Sequence, residues 1–250
     1  MANFMDRLPM LVDRRSEESE REIVQKNAAD PQKDRTGCSS AMLIGDLRFF
    51  GVADYLMKGD IESFRKQLSE SAQLYDRLFV RFENGEPIDV SYVAMLAYKE
   101  LFDALAAADM KVAHSLAAHM GGRDAIEKKY DHPFDYAMGY TLRSFVLNDK
   151  EQMQEWTPKF IAACNKTSSA DFLGYGQVFQ AILDNDSAVG NEGMKAIVKG
   201  HQKQSKRRGV FADSVDEVLS VWGIGMANLA RSHGLQIEAI PPLIPQDLLE

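Results

Sequence analysis

The chain has 250 residues, 45% hydrophobic and 26% charged, ordinary globular values that allow one sizeable core. Its net charge of −8 disfavours nucleic acid and anionic lipid as partners and favours basic ones. Two cysteines, Cys38 and Cys164, exclude a disulfide framework and point to a reducing cytoplasm.

Along the chain, helical periodicity dominates and strand alternation is almost absent. The N-terminus meets Asp6 early and has no long apolar stretch, so it does not read as a signal peptide. A charged helix near Ser16 to Asn27 precedes a polar stretch, "AADPQKDRTGCSS", expected to be mobile. Together they make an N-terminal segment, residues 1–40. Helices are then predicted over 41–57, 60–83, 88–107, 109–120, 133–147, 149–164, 169–183, 187–206 and 214–233. The helix over 149–164 is expected to break where Thr157 caps a second piece begun by Pro158. Nothing inside 41–233 reads as an interdomain linker, so residues 41–250 form one all-helical domain.

Four positions share a local grammar: an apolar helix end, a tight turn, then an Asp suited to cap the next helix. They are Asp60, Asp109, Asp149 and Asp186, at intervals of 49, 40 and 37 residues. Short loops between helices force antiparallel neighbours, which predicts an all-α fold of stacked helical hairpins. The intervals are irregular, so the array is a degenerate relative of helical-repeat proteins. "SVDE" places Ser214 and Glu217 in capping-box spacing at the start of the last helix. Val215, Val218, Leu219, Trp222, Met226 and Leu229 then fall on one face, and Gly234 supplies the left-handed stop. The longest uncharged run near the end, Val218 to Ala230, is 13 residues, too short to span a bilayer.

Motifs for chemistry are sparse. His114 and His119 lie five apart, about 140° around a helix, so they do not share a metal as i, i+4 ligands do. Neither ExxH nor HExxH occurs, and no metal or cofactor is predicted. "SFRK" at Ser63 has SxxK spelling without the accompanying SDN or KTG, and reads as an exposed helix face. "GYGQVF" and "WGIGMA" lack a third glycine and a preceding strand, so neither is a dinucleotide loop. Gly223 and Gly225 instead suit a close helix approach. Residues 195–208 hold six of the 29 Lys and Arg and no acid, which leaves 23 basic against 37 acidic residues elsewhere. This stretch lacks interleaved aromatics, and basic residues at a helix C-terminus also favour the macrodipole.

The most polar-aromatic patch is "KKYDHPFDYAMGY", from Lys128 to Tyr140. A helix start at Asp131 and Pro133 explains part of it. A binding surface of Tyr130, Asp131, Asp135 and Tyr136 explains the rest, with catalysis around Asp131 and His132 as a third reading. Asp184, Asp186 and Glu192 form a second candidate contact group.

The C-terminal segment carries one further signal. Trp222, Gly223 and Gly225, then "NLARSHGL", then "PPLIPQDLL" resemble the C-terminal signature of the immunity protein 49 family, all-helical bacterial proteins encoded beside polymorphic toxins. The match takes in Trp222, Gly225, Leu229, Ala230, Gly234 and the run from Pro242 to Pro245. The resemblance implies a stoichiometric inhibitor of a cognate toxin in interbacterial competition, acting without catalysis or cofactor. A tail of fixed proline backbone would clamp the helices by burying Leu243, Ile244, Leu248 and Leu249. An acidic inhibitor suits the basic cleft of a nuclease-type toxin. The alternative is a helical interaction scaffold with no inhibitory role.

Overall fold

The computed structural model describes residues 4–166 and 169–250, without the side chains of 18–21. Twelve α-helices account for its regular structure: α1 Phe4–Ser16, α2 Glu18–Ala28, α3 Cys38–Lys58, α4 Ile61–Glu83, α5 Tyr98–Ala106 and α6 Met110–His119. They continue with α7 Asp124–Tyr130, α8 Pro133–Val146, α9 Lys150–Cys164, α10 Leu173–Asp184, α11 Ser187–Gln204 and α12 Val221–Ser232. Among the described residues there is no strand, only one isolated antiparallel bridge between Ile240 and Ile244. The chain is all-α.

The four aspartates explain where α4, α6, α9 and α11 begin. Asp60 accepts from the Ser63 N–H, Asp109 from Val112, Asp149 from Gln152, and Asp186 from both Ala188 and Val189. Each satisfies a backbone donor that the first helical turn leaves unpaired. The turns before Asp109, Asp149 and Asp186 use a left-handed residue, Ala108, Asn148 and Asn185.

Other boundaries differ from expectation. The last helix starts at Val221, not Ser214, because Ser220 is its cap and accepts from the Gly223 N–H. Ser214 instead donates to the Phe211 carbonyl, and Glu217 accepts from the Asp213 N–H. The stretch 88–107 holds two 3-10 turns, Val90–Val93 and Met95–Ala97, before α5, and 169–183 begins with another at Ala170–Phe172. α9 runs unbroken through Pro158, and Thr157 donates back to the Met153 carbonyl rather than capping anything. Two helices carried no clear sequence signal, α1 and α7. α1 contributes Phe4 and Leu8 to the same buried core as the rest of the chain. In the polar stretch after α2, Asp34 is 2% exposed and pairs with Arg81 at 3.0 Å and with the Ser40 hydroxyl at 2.6 Å.

Two close helix contacts depend on glycine. A Cβ at Gly225 would lie 2.8 Å from the Phe102 carbonyl oxygen, so α12 meets α5 backbone to side. A Cβ at Gly174 would lie 2.5 Å from the Ile197 nitrogen, where α10 crosses α11. The GxG spellings thus serve helix packing. Beyond α12, Gly234 takes the left-handed conformation and the Leu235 N–H returns to the Ala230 carbonyl. Leu243, Ile244, Leu248 and Leu249 of the tail are buried. Asn228, 4% exposed, donates to the carbonyls of Leu105 and Leu248 and accepts from the Glu250 N–H, tying α5, α12 and the tail together.

Candidate functional site

The polar-aromatic patch lies where α7 ends and α8 begins. Asp131 does not cap α8. Its carboxylate reaches across to the 3-10 turn before α5 and accepts from the backbone N–H groups of Met95 at 2.9 Å and Leu96 at 3.1 Å. Burial pushes its carboxyl up to about 6, partly offset by those two donors and reinforced by the charges of Asp135 and Glu127. His132 takes the capping role, its Nδ1 accepting from the Phe134 N–H at 3.2 Å, and Pro133 opens the helix.

Asp135 sits in the first turn of α8, where a carboxylate favours the dipole, and accepts from the Tyr98 hydroxyl at 2.8 Å. Burial, with the Asp135 charge adding, holds the Tyr98 phenol well above its ordinary range, so it stays a donor. Beside this pair opens a cavity of about 310 Å³ lined by Asp135, His132, Lys99, Tyr98, Phe172 and Trp222. Trp222 packs edge-on to Tyr98 at 5.4 Å, which brings the C-terminal segment to the edge of the patch.

Tyr136 faces the other way. It forms an aromatic ledge with Tyr140 at 4.8 Å and Trp156 at 5.6 Å, and Tyr140 and Trp156 stack at 4.5 Å. The Trp156 indole N–H donates to Gln152, and Lys159 covers its face at 4.1 Å. Tyr140 is fixed from below by Glu127, a fully buried carboxylate that accepts its hydroxyl at 2.7 Å. Tyr130 is 43% exposed and lies under the Lys129 ammonium. Tyr130, Asp131, Asp135 and Tyr136 are thus one contiguous stretch with separate tasks. Tyr130 and Tyr136 present rings and Asp135 a half-engaged carboxylate, whereas Asp131 is committed to the fold.

The second group lies on the α10–α11 turn. Asp184 accepts from the Gln180 amide, Asp186 caps α11, and Glu192 pairs with Lys195 at 2.7 Å. No hydrogen bond or ion pair among the described residues joins this group to the first.

Sequence reasoning missed two buried polar clusters. Arg48 of α3 forks to Asp103 of α5 at 2.6 Å and to Asp216 at 2.9 Å, and Ser71 donates to Asp103. Lone charges inside the apolar runs "LRFFGV" and "LFDALA" were the available signal. The other cluster joins His201 to Ser220. His201 Nε2 donates to the Asp216 carbonyl at 2.6 Å, and its Nδ1 faces the Ser220 hydroxyl at 3.1 Å. Burial lowers the His201 pKa, which keeps the ring neutral, despite the opposing Asp216 contacts. A hydroxyl–imidazole pair is the start of a nucleophile. Here His201 is 3% exposed and Ser220 is fully buried, so the pair meets α12 rather than a substrate.

Among the described residues, no group of His, Cys, Asp and Glu is placed to hold a metal ion. No helix among them is long and apolar enough to cross a membrane. No family model, curated protein or solved structure matches the chain.

Proposed function

We propose that this chain is an immunity protein of the producing cell's cytoplasm, binding a cognate toxin, of nuclease type, and neutralising it by occluding its active cleft. The observation that carries the reading is the rigid acidic and aromatic surface at the α7–α8 junction. Its Tyr140 and Trp156 rings are stacked with Tyr136 packed against both, and its Asp135 carboxylate is held by Tyr98, so little freedom of these side chains is lost on binding. Ordered aromatics beside carboxylates suit a basic cleft, where the acid occupies phosphate positions and the rings bury area. The acidic balance of the chain outside 195–208 would steer that encounter, and it disfavours nucleic acid as the partner.

In this reading α3–α4, α8–α9 and α10–α11 are antiparallel hairpins of a degenerate array over 41–250, on which residues 1–40 dock. The proline-rich tail is its clamp. The segment that resembles immunity protein 49 is therefore a signature of the fold, and the contact surface lies elsewhere, with Asp184, Asp186 and Glu192 as a secondary region.

The test is survival. A toxin domain encoded beside this chain should kill a host strain alone and be tolerated when the chain is co-expressed, with the two proteins co-purifying in equal amounts. Killing that persists despite folded, abundant chain rejects the reading.

A further inference from the structure

The segment between α6 and α8 is tied to the protein by polar contacts rather than by an apolar face. The one buried residue of α7 is a carboxylate, Glu127, 0% exposed, and Ile126 is half-buried against the core. Glu127 accepts the Tyr140 hydroxyl at 2.7 Å and the Arg123 N–H at 2.9 Å. The Arg123 side chain lies over the Phe79 ring and reaches back to Glu83 of α4 at 2.5 Å and to the His119 carbonyl at 2.7 Å. Asp131 supplies the remaining tie, through the N–H groups of Met95 and Leu96.

Both ends of this segment can turn. Its base is fixed, since the Met120 carbonyl accepts from Arg143 Nε at 2.8 Å. Gly121 and Gly122 follow, both left-handed, with φ of +86° and +78°. Glycine has the backbone freedom that a hinge requires. At the other end Asp131 and His132 are extended before Pro133 opens α8. The Tyr140 hydroxyl joins hinge to helix, because it accepts the Gly122 N–H at 3.0 Å while donating to Glu127. An element held in this way opens more easily than the core: little apolar area is exposed, and Glu127, Asp131 and Arg123 regain water.

We infer that residues 121–131 form a hinged flap that swings out as one unit, with the Tyr140 hydroxyl as its latch. Opening carries Tyr130 away from Asp135 and uncovers Tyr140 of the aromatic ledge. The α7–α8 surface thus has a closed and an open form. What the flap regulates rests on the toxin-binding reading; the flap itself does not.

Hydrogen exchange of the full chain, followed amide by amide by NMR, tests the flap without any partner. The Ile126, Glu127 and Asp131 amides bond within the flap, whereas those of Met95 and Leu96 lie far off in sequence but bond to Asp131. All of them should share one opening constant and be protected about tenfold or more weakly than the buried amides of α12. Tyr140→Phe keeps the ring on Trp156 and removes the latch, so it should raise that opening constant about tenfold. Leu248→Ala, in the tail, weakens the closed and open forms alike. It should therefore speed exchange in α12 and leave the flap unchanged. Flap amides as protected as those of α12, or accelerated as much as α12 by Leu248→Ala, overturn the inference. So do Met95 and Leu96 amides that stay protected while α7 exchanges, which is fraying of one helix, or flap exchange that ignores Tyr140→Phe.

Discussion

At the residue scale, three carboxyls crowd one guanidinium. Asp103 and Asp216 both bond Arg48 directly, and burial disfavours the Arg48 cation less than these two acids favour it. Glu100, one turn before Asp103, makes no such contact. Burial pushes its carboxyl up to about 8, the Asp103 charge adding and Arg48 opposing, while burial moves Asp103 itself up to about 7. A carboxyl raised in the fold binds more protons there than in the unfolded chain, so its stabilising effect is lost as pH rises through the raised value. His201 works in the opposite sense: lowered in the fold, it adds stability as pH rises toward 6.5 and nothing beyond. Through these groups stability should therefore fall between about pH 4.5 and 8, with His201 offsetting part of the fall below 6.5 and a slope of up to about 1.4 kcal/mol per pH unit for each proton lost. Glu100→Gln should remove most of that slope above pH 7, measured by urea denaturation at a series of pH values. Parallel wild-type and variant curves would place the proton elsewhere.

At the scale of elements, what was legible depended on whether the signal was local. The caps at Asp60, Asp109, Asp149 and Asp186 were readable because a cap uses side chain and backbone within three residues. "SVDE" was equally local and misled. There, tertiary contacts outcompeted the capping box: Asp216 is drawn to Arg48 and Ser220 takes over the cap. α7 went unseen because its anchors, Glu127 to Tyr140 and Asp131 to the Met95 turn, bridge segments well apart in sequence. The candidate site follows the same division, since the stretch Tyr130 to Tyr136 was visible as composition while the division of labour within it was not. The caps themselves differ in reach. Among the described residues the Asp149 side chain bonds only its own helix, but the second oxygen of Asp109 accepts the Ser69 hydroxyl of α4 at 2.7 Å. Asp149→Ala should cost about 1 kcal/mol. Asp109→Ala should cost about 1 kcal/mol more, for the lost link to α4. Equal losses of urea midpoint would show that the Ser69 contact contributes nothing.

At the scale of the whole molecule, the segment with the recognisable spelling and the surface offered for binding are separable. Gly225, Leu229 and Ala230 are packed inside, the tail leucines are buried, and Arg231 and Arg65 both reach the terminal Glu250. Trp222 connects the two regions, through the cavity it lines together with Asp135. Fold and recognition should therefore fail under different substitutions. Removing the leucine side chain in Leu248→Ala should destabilise by about 2–5 kcal/mol, and it should leave the affinity for a partner unchanged under conditions where the variant is still folded. Tyr130→Ala together with Asp135→Lys should do the reverse, with a loss of affinity well beyond the loss of stability. Because Asp135 acts in an acidic field, the reversal should also slow association and reduce its dependence on salt, as steering by opposite charge is screened within about 8–10 Å at ordinary ionic strength. Stopped-flow association at two salt concentrations separates the possibilities. An association rate that ignores both salt and the Asp135 reversal would move the contact surface away from the α7–α8 junction and leave the acidic balance without a role in recognition.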